Sequence, residues 1–130
     1  MATEGALTGI LTTLHGQAIG RFGEEVAARH LAGAGLRILD RNWRCAEGEL
    51  DIVAEDDGTL VFCEVKTRSG PGFGDPAEAV TAAKSARIRR LGLRWLAAHG
   101  IGWRDLRFDV VTVVRRPEGD PLVRHLRNAF

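Results

Sequence analysis

Ile19, Phe22, Val26, Ala27 and Leu31 recur at steps of three and four, the spacing that gathers apolar side chains on one side of a helix. The pattern predicts an amphipathic helix from Gly16 to about Ala34, stopped by Gly33 and Gly35, with Glu24, Glu25 and Arg29 on its polar face. Upstream, Met1 to Leu14 is rich in Thr, Gly and Ala without a sustained period, so residues 1–15 are expected to form a flexible leader. After Gly35 the period changes to two. A short strand is predicted at Leu36 to Trp43, and two longer ones at Glu49 to Glu55 and Thr59 to Lys66 around the hairpin signal Asp57-Gly58. A Gly and Pro loop follows from Ser69 to Gly74. Asp75-Pro76-Ala77-Glu78 then supplies an N-cap, a first-turn proline and a carboxylate three residues past the cap. The second helix starts there, with a break and restart allowed at Val80-Thr81; Ile88, Leu91 and Trp95 form its apolar stripe and Gly100 closes it. Arg107 to Val114 reads as a further strand and Pro121 to Leu126 as a last edge strand. The order, helix, three strands, helix, strand, belongs to the α/β class, and one domain is expected over residues 16–130.

The 130 residues, 45% hydrophobic and 27% charged, suit a globular unit with its own core and exclude collagen, repeat arrays and wholesale disorder. No apolar stretch approaches the roughly 18 residues of a membrane helix, and no Lys or Arg precedes Arg21 to start a secretory signal. Cys45 and Cys63 are too few for a disulfide framework, so a reducing, cytoplasmic location without membrane association is expected. The formal net charge of +1 conceals segregation: Glu47 to Asp57 holds six acids and no base. Ala79 to Arg104 instead carries Lys84, Arg87, Arg89, Arg90, Arg94 and Arg104 without an acid. A cation site beside a phosphate-binding face would have this signature.

The predicted hairpin pairs positions whose numbers sum to 115, which sets Asp51 opposite Glu64 and Glu49 opposite Lys66. Alternation would put Leu50, Ile52, Ala54, Val61, Cys63 and Val65 on one apolar face. Val53, Leu60 and Phe62 would share the other with the charged residues. Two carboxylates directly opposed repel each other unless a cation lies between them. Oxygen donors with room for water and phosphate describe a Mg²⁺ or Mn²⁺ site, with the Lys66 ammonium near the attacking water. Glu-x-Lys alone is common by chance; its concurrence with Asp51 on one face raises the case for a metal site, and a solvated cluster in which Lys66 merely pairs with Glu49 and Asp51 stands as an equal alternative on spacing alone.

Gly20-Arg21-x-Gly23-Glu24-x-x-Ala27, Asn42-x-Arg44, Gly48-Glu49-Leu50-Asp51-Ile52-Val53, Val61-Phe62-x-Glu64-Val65-Lys66-Thr67-Arg68, Lys84-x-x-Arg87-Ile88, Arg107-Phe108-Asp109-Val110-Val111 and His125-Leu126-x-Asn128-Ala129-Phe130 resemble the YraN family of bacterial proteins, from about Gly16 onward. That family is similar to PD-(D/E)xK nucleases and archaeal Holliday-junction resolvases. The resemblance implies a restriction-endonuclease-like core, a mixed β-sheet flanked by helices in the order α-β-β-β-α-β. It also implies that Asp51, Glu64 and Lys66 are the motif's acids and lysine, and that Glu24 is the carboxylate of the first helix. Leu50 stands where the motif's name has proline.

Lys84, Arg87, Arg90 and Arg94 lie at steps of three, three and four, so one side of the second helix could meet several phosphates without reading sequence; a solvated basic face is the alternative. Arg68 extends this set beyond Lys66. Trp95 is phased with the core stripe, Trp43 and Trp103 are open candidates for base stacking, and the four histidines have no ligand spacing. Two functions are therefore expected to compete. One is a metal-dependent nuclease acting on DNA, branched DNA included, with Asp51, Glu64, Glu24 and Glu49 toward the metal. The other is a non-catalytic nucleic-acid-binding or protein-interaction module on the same scaffold. Monomer and homodimer are both compatible with the sequence.

Overall fold

The computed structural model describes the backbone of residues 4–69 and 80–130 and the side chains of residues 18–68 and 80–130. Helix α1 spans Glu4–Gly33, strands β1, β2 and β3 span Arg37–Cys45, Gly48–Asp56 and Thr59–Ser69, helix α2 spans Ala82–Ala98, and β4 and β5 span Leu106–Arg115 and Leu122–Leu126. The five strands form one mixed sheet in sequential order. β3 and β4 run parallel, joined through α2, and every other neighbouring pair is antiparallel. The α/β class and the α-β-β-β-α-β order expected from the periodicity are thus present, with β5 added at the edge.

Each face of the sheet carries one helix. Ala27, Ala28 and Leu31 of α1 pack on Ile52, Ala54, Val61, Cys63, Val111 and Val113. Ile88, Leu91 and Trp95 of α2 pack on Leu50, Val53, Leu60, Phe62 and Phe108. The central strands are buried on both faces, which is why Val61-Phe62 and Val110-Val111 are consecutive apolar runs. The Phe62 ring stacks on Phe108 with centroids 5.5 Å apart. A Cβ at Gly92 would come within 3.1 Å of the Phe62 ring, so the glycine lets α2 lie close to the sheet.

Two expectations are corrected and one is met. The first helix begins at Glu4 rather than Gly16, so the backbone of residues 4–15 is helical where a flexible leader was predicted; extending a helix that is already nucleated costs little even without an amphipathic stripe. The restart allowed at Val80-Thr81 is present: the second helix runs from Ala82, where the Thr81 side chain caps by accepting from the Lys84 backbone N–H (3.2 Å). The cap predicted at Asp75 and the loop from Gly70 to Gly74 lie outside the described residues. Leu50 joins the α2-side cluster instead of sharing a face with Ile52. The alternation therefore slips at Asp51.

A strand-fork cavity of carboxylates and cations

The slip at Asp51 has a structural cause. The hairpin closes through left-handed residues at Asp57 and Gly58 (φ 49° and 88°), and β2 pairs with β3 in the predicted register from Asp56↔Thr59 to Ile52↔Cys63. The pairing ends there. Beyond it β2 continues beside β1, with Trp43↔Leu50 and Arg44↔Glu49, and β3 continues beside β4, with Glu64↔Val110 and Lys66↔Thr112. Asp51 and Glu64 are thus not ladder partners, and Glu49 faces Arg44 rather than Lys66. The Asp51 carboxylate enters the fork between the strands, where its Oδ2 accepts the Val65 backbone N–H at 2.8 Å. A side chain replaces the missing ladder partner.

The fork opens into a cavity of about 330 Å³ that includes Glu24 from α1, Glu49 and Asp51 from β2, Glu64 and Lys66 from β3, and Arg87 from α2 in its lining. Leu50, Cys63, Ile88 and Leu91 form its apolar wall. Burial, opposed by the Val65 hydrogen bond and reinforced by the charges of Glu24, Glu64 and Glu49, raises the Asp51 pKa to about 6. Burial also raises Glu24, against a hydrogen bond from the Asn42 side chain. Asn42 has φ 54°, a left-handed conformation that Asn tolerates better than most residues. Its role was missed in reading the residues one by one; a polar, turn-forming residue inside a predicted strand was the available signal.

Of the other expected site residues, Lys66 Nζ lies 3.3 Å from Glu64 Oε1, and Arg44 Nε lies 3.1 Å from Glu49 Oε2. The nearby Lys66 charge holds the Lys84 ammonium below its ordinary pKa. Arg94 is paired with Glu47, which takes part of its charge out of the basic face. Arg68 and Arg90 are exposed. The structure therefore brings Glu24, Glu49, Asp51, Glu64, Lys66 and Arg87 together, and leaves Arg68, Lys84, Arg90 and Arg94 outside the cavity lining. Among the described residues, no three His, Cys, Asp or Glu side chains stand together as a ready metal cluster. The donor chemistry nevertheless fits a hard cation: carboxylate oxygens from three elements line one cavity, and the most buried of them is ringed by like charge.

A second polar cluster was not anticipated. Asp109, fully buried on β4, accepts from Arg107 Nε and Nη2 (3.0 Å each) and from the Asn128 backbone N–H (2.9 Å). Its Oδ2 lies 2.7 Å from His125 Nε2. Burial pushes the Asp109 pKa up, but His125, Arg107 and Asn128 together outweigh it and hold it below the usual value. This network ties β5 and the segment after it to the sheet. Trp95 is core, as its phase predicted, and its indole N–H donates to Asp40 (2.9 Å). Trp43 packs beside the α2-side core and Trp103 is 97% exposed.

Together these features define a mixed-sheet α/β protein with a cleft of acids and cations at the fork of its central strands. The chain belongs to the Uncharacterised protein family UPF0102, whose model matches residues 23–113 and so spans every residue of the cavity. It is 65% identical over 113 residues to a UPF0102 protein of Frankia alni, covering 87% of this chain and 94% of that one. It is 55% identical over 114 residues to one of Nocardia farcinica (88% and 90%), and 52% identical over 124 residues to one of Acidothermus cellulolyticus (88% and 94%). The family resemblance drawn from the motifs holds at this level. Among the described residues no helix is long and apolar enough to cross a membrane.

Proposed function

We propose that this protein is a divalent-metal-dependent nuclease acting on DNA. One observation carries the reading: Asp51, Glu64 and Lys66 line a single cavity at a strand fork, where Asp51 is held as a buried carboxylate among other acids. The likeness of these residues to the PD-(D/E)xK nucleases supports it. Asp51 and Glu64 would hold Mg²⁺ or Mn²⁺, with Glu24 and Glu49 as further oxygen donors. When bound, the ion would supply Lewis-acid polarisation of the phosphate and a more acidic water. Lys66, anchored by Glu64, would orient the attacking water, while Arg87 on the cavity wall would hold the phosphodiester against it.

Incubation with Mn²⁺ or Mg²⁺ and a panel of duplex, nicked, branched and single-stranded DNA should show cleavage that Glu64→Gln and Asp51→Asn abolish. No cleavage of any member with either ion would overturn the proposal. A non-catalytic nucleic-acid-binding module is the competing reading, favoured by the Lys66–Glu64 pair and by the lack of a ready three-ligand cluster among the described residues. The two differ in the stability of Glu64→Gln without metal. In a catalytic site the substitution relieves repulsion with Asp51 and the melting temperature holds or rises slightly. In a structural cluster it strands Lys66, and the melting temperature falls.

A further inference from the structure

Trp103, 97% exposed, and Leu93, 60% exposed, are the two most exposed large apolar side chains among the described residues. Both line one groove of about 400 Å³, whose other apolar walls are Leu96 of α2 and Leu106 and Phe108 of β4. Scattered exposed apolar residues need no explanation, but two at the mouth of an apolar hollow make a contiguous patch of the kind that marks an interface. The acidic cavity takes Arg87, Ile88 and Leu91 from the same helix, so α2 separates the two. The turn that carries Trp103 is tied down on both sides. The Ile101 backbone N–H donates to the Leu96 carbonyl (3.1 Å), and the Asp105 carbonyl accepts from the Leu60 N–H (2.9 Å). The indole is therefore presented on an ordered backbone, which lowers the ordering cost of binding.

We infer that this groove is the contact surface of a homodimer in which Trp103 of each copy enters the groove of the other. The patch holds a protruding ring and a hollow side by side, so a two-fold axis passing beside Trp103 makes it complementary to itself. One operation then covers both indoles. The area suits a second copy: two such rings at about 200 Å² each, the two Leu93 side chains and the walls they cover remove about 1,000 Å² from water. That reaches the lower bound for a specific interface, so the dimer is weak, with a Kd in the micromolar range. The charges agree. Arg89 Nη2 donates to the Phe130 carbonyl (2.6 Å) and its guanidinium lies over the Phe108 ring. Arg104 is paired with Glu55 (3.1 Å), and Asp105 adds a negative charge to the lining. A phosphate backbone finds no uncommitted cation in this lining, whereas two surfaces of mixed sign meet without net repulsion. The dimer goes beyond the nuclease reading and does not rest on it, since neither metal nor nucleic acid takes part.

The test is sedimentation velocity of the full chain in chelator, from about 1 μM to about 1 mM, which brackets the affinity of an interface this small. The chain should pass from monomer to dimer across that span. Trp103→Ala should weaken association at least about ten-fold, as expected where a tryptophan anchors an interface, and Leu93→Ala should weaken it less. Circular dichroism melting confirms that each variant is folded, which the exposure of both side chains favours. Tryptophan emission gives an independent readout: it should shift to the blue as concentration rises, and Trp103→Ala should abolish the shift. A chain that stays monomeric throughout, or a dimer that Trp103→Ala leaves as tight, would overturn the proposal. So would emission from a monomeric chain that single-stranded DNA quenches in the parent and not in Trp103→Ala, which would make the groove a base-stacking surface instead.

Discussion

At the scale of single residues, Asp51 and Asp109 are opposite electrostatic cases with opposite consequences for stability. Asp51 has a folded pKa of about 6 against an ordinary aspartate value of 3.8, so the folded chain binds its proton more readily than the unfolded chain does. Its contribution to stability is complete below pH 3.8 and is lost as pH rises through about 6. Asp51→Asn, which keeps an oxygen for the Val65 N–H, should therefore stabilise the metal-free protein at pH 7.5 by roughly 1–3 kcal/mol. Thermal melting between pH 4 and 8 checks this; the gain should vanish at the acid end, and destabilisation at pH 7.5 would contradict it. Asp109 is held below its usual pKa, so its stabilisation is present above the unfolded value of 3.8 and is lost as pH falls through the folded one. Asp109→Asn weakens the Arg107 and His125 interactions inside a buried network and should cost about 3–5 kcal/mol at pH 7, read as a fall in the urea midpoint that diminishes in acid.

At the scale of elements, α1 reaches the sheet at Gly23, where an added Cβ would lie 1.7 Å from Thr67 Oγ1. Only a glycine permits this approach, and it brings the adjacent Glu24 to the cavity. Gly23→Ala should destabilise by at least ~2 kcal/mol through forced separation of α1 from β3. Thr67→Ala in the same chain should recover part of the loss in a double-mutant cycle, and additive effects would show that the two positions do not touch. On α2, reversing charge at Arg87 and Arg90 should weaken binding to unrelated DNA sequences alike and flatten its salt dependence, because each phosphate contact releases counterions. Arg94→Ala should change affinity less, since Glu47 already pairs with it. Titration at several salt concentrations measures both effects; a loss confined to one sequence would argue against phosphate contact.

At the scale of the whole molecule, the two-faced sheet allows one site to draw on α1, β2, β3 and α2, elements far apart in the chain. Its acids and cations meet because β2 and β3 separate at Ile52↔Cys63, leaving room that a continuous ladder would have filled. The amino-acid sequence by itself determined the strands, the register of the central hairpin from Asp56↔Thr59 to Ile52↔Cys63, the core phase of Trp95 and the gathering of Asp51, Glu64 and Lys66 at one end of that hairpin. These follow from local rules, since side-chain alternation, turn chemistry and helical period act over a few residues. Only the tertiary structure decided that the ladder stops short of Asp51, that Leu50 changes face, that Lys66 pairs with Glu64, and that Asp109 gathers Arg107, His125 and Asn128. Those outcomes depend on which strand each partner chooses and on how closely each helix approaches the sheet, and such long-range competition leaves no period in the sequence.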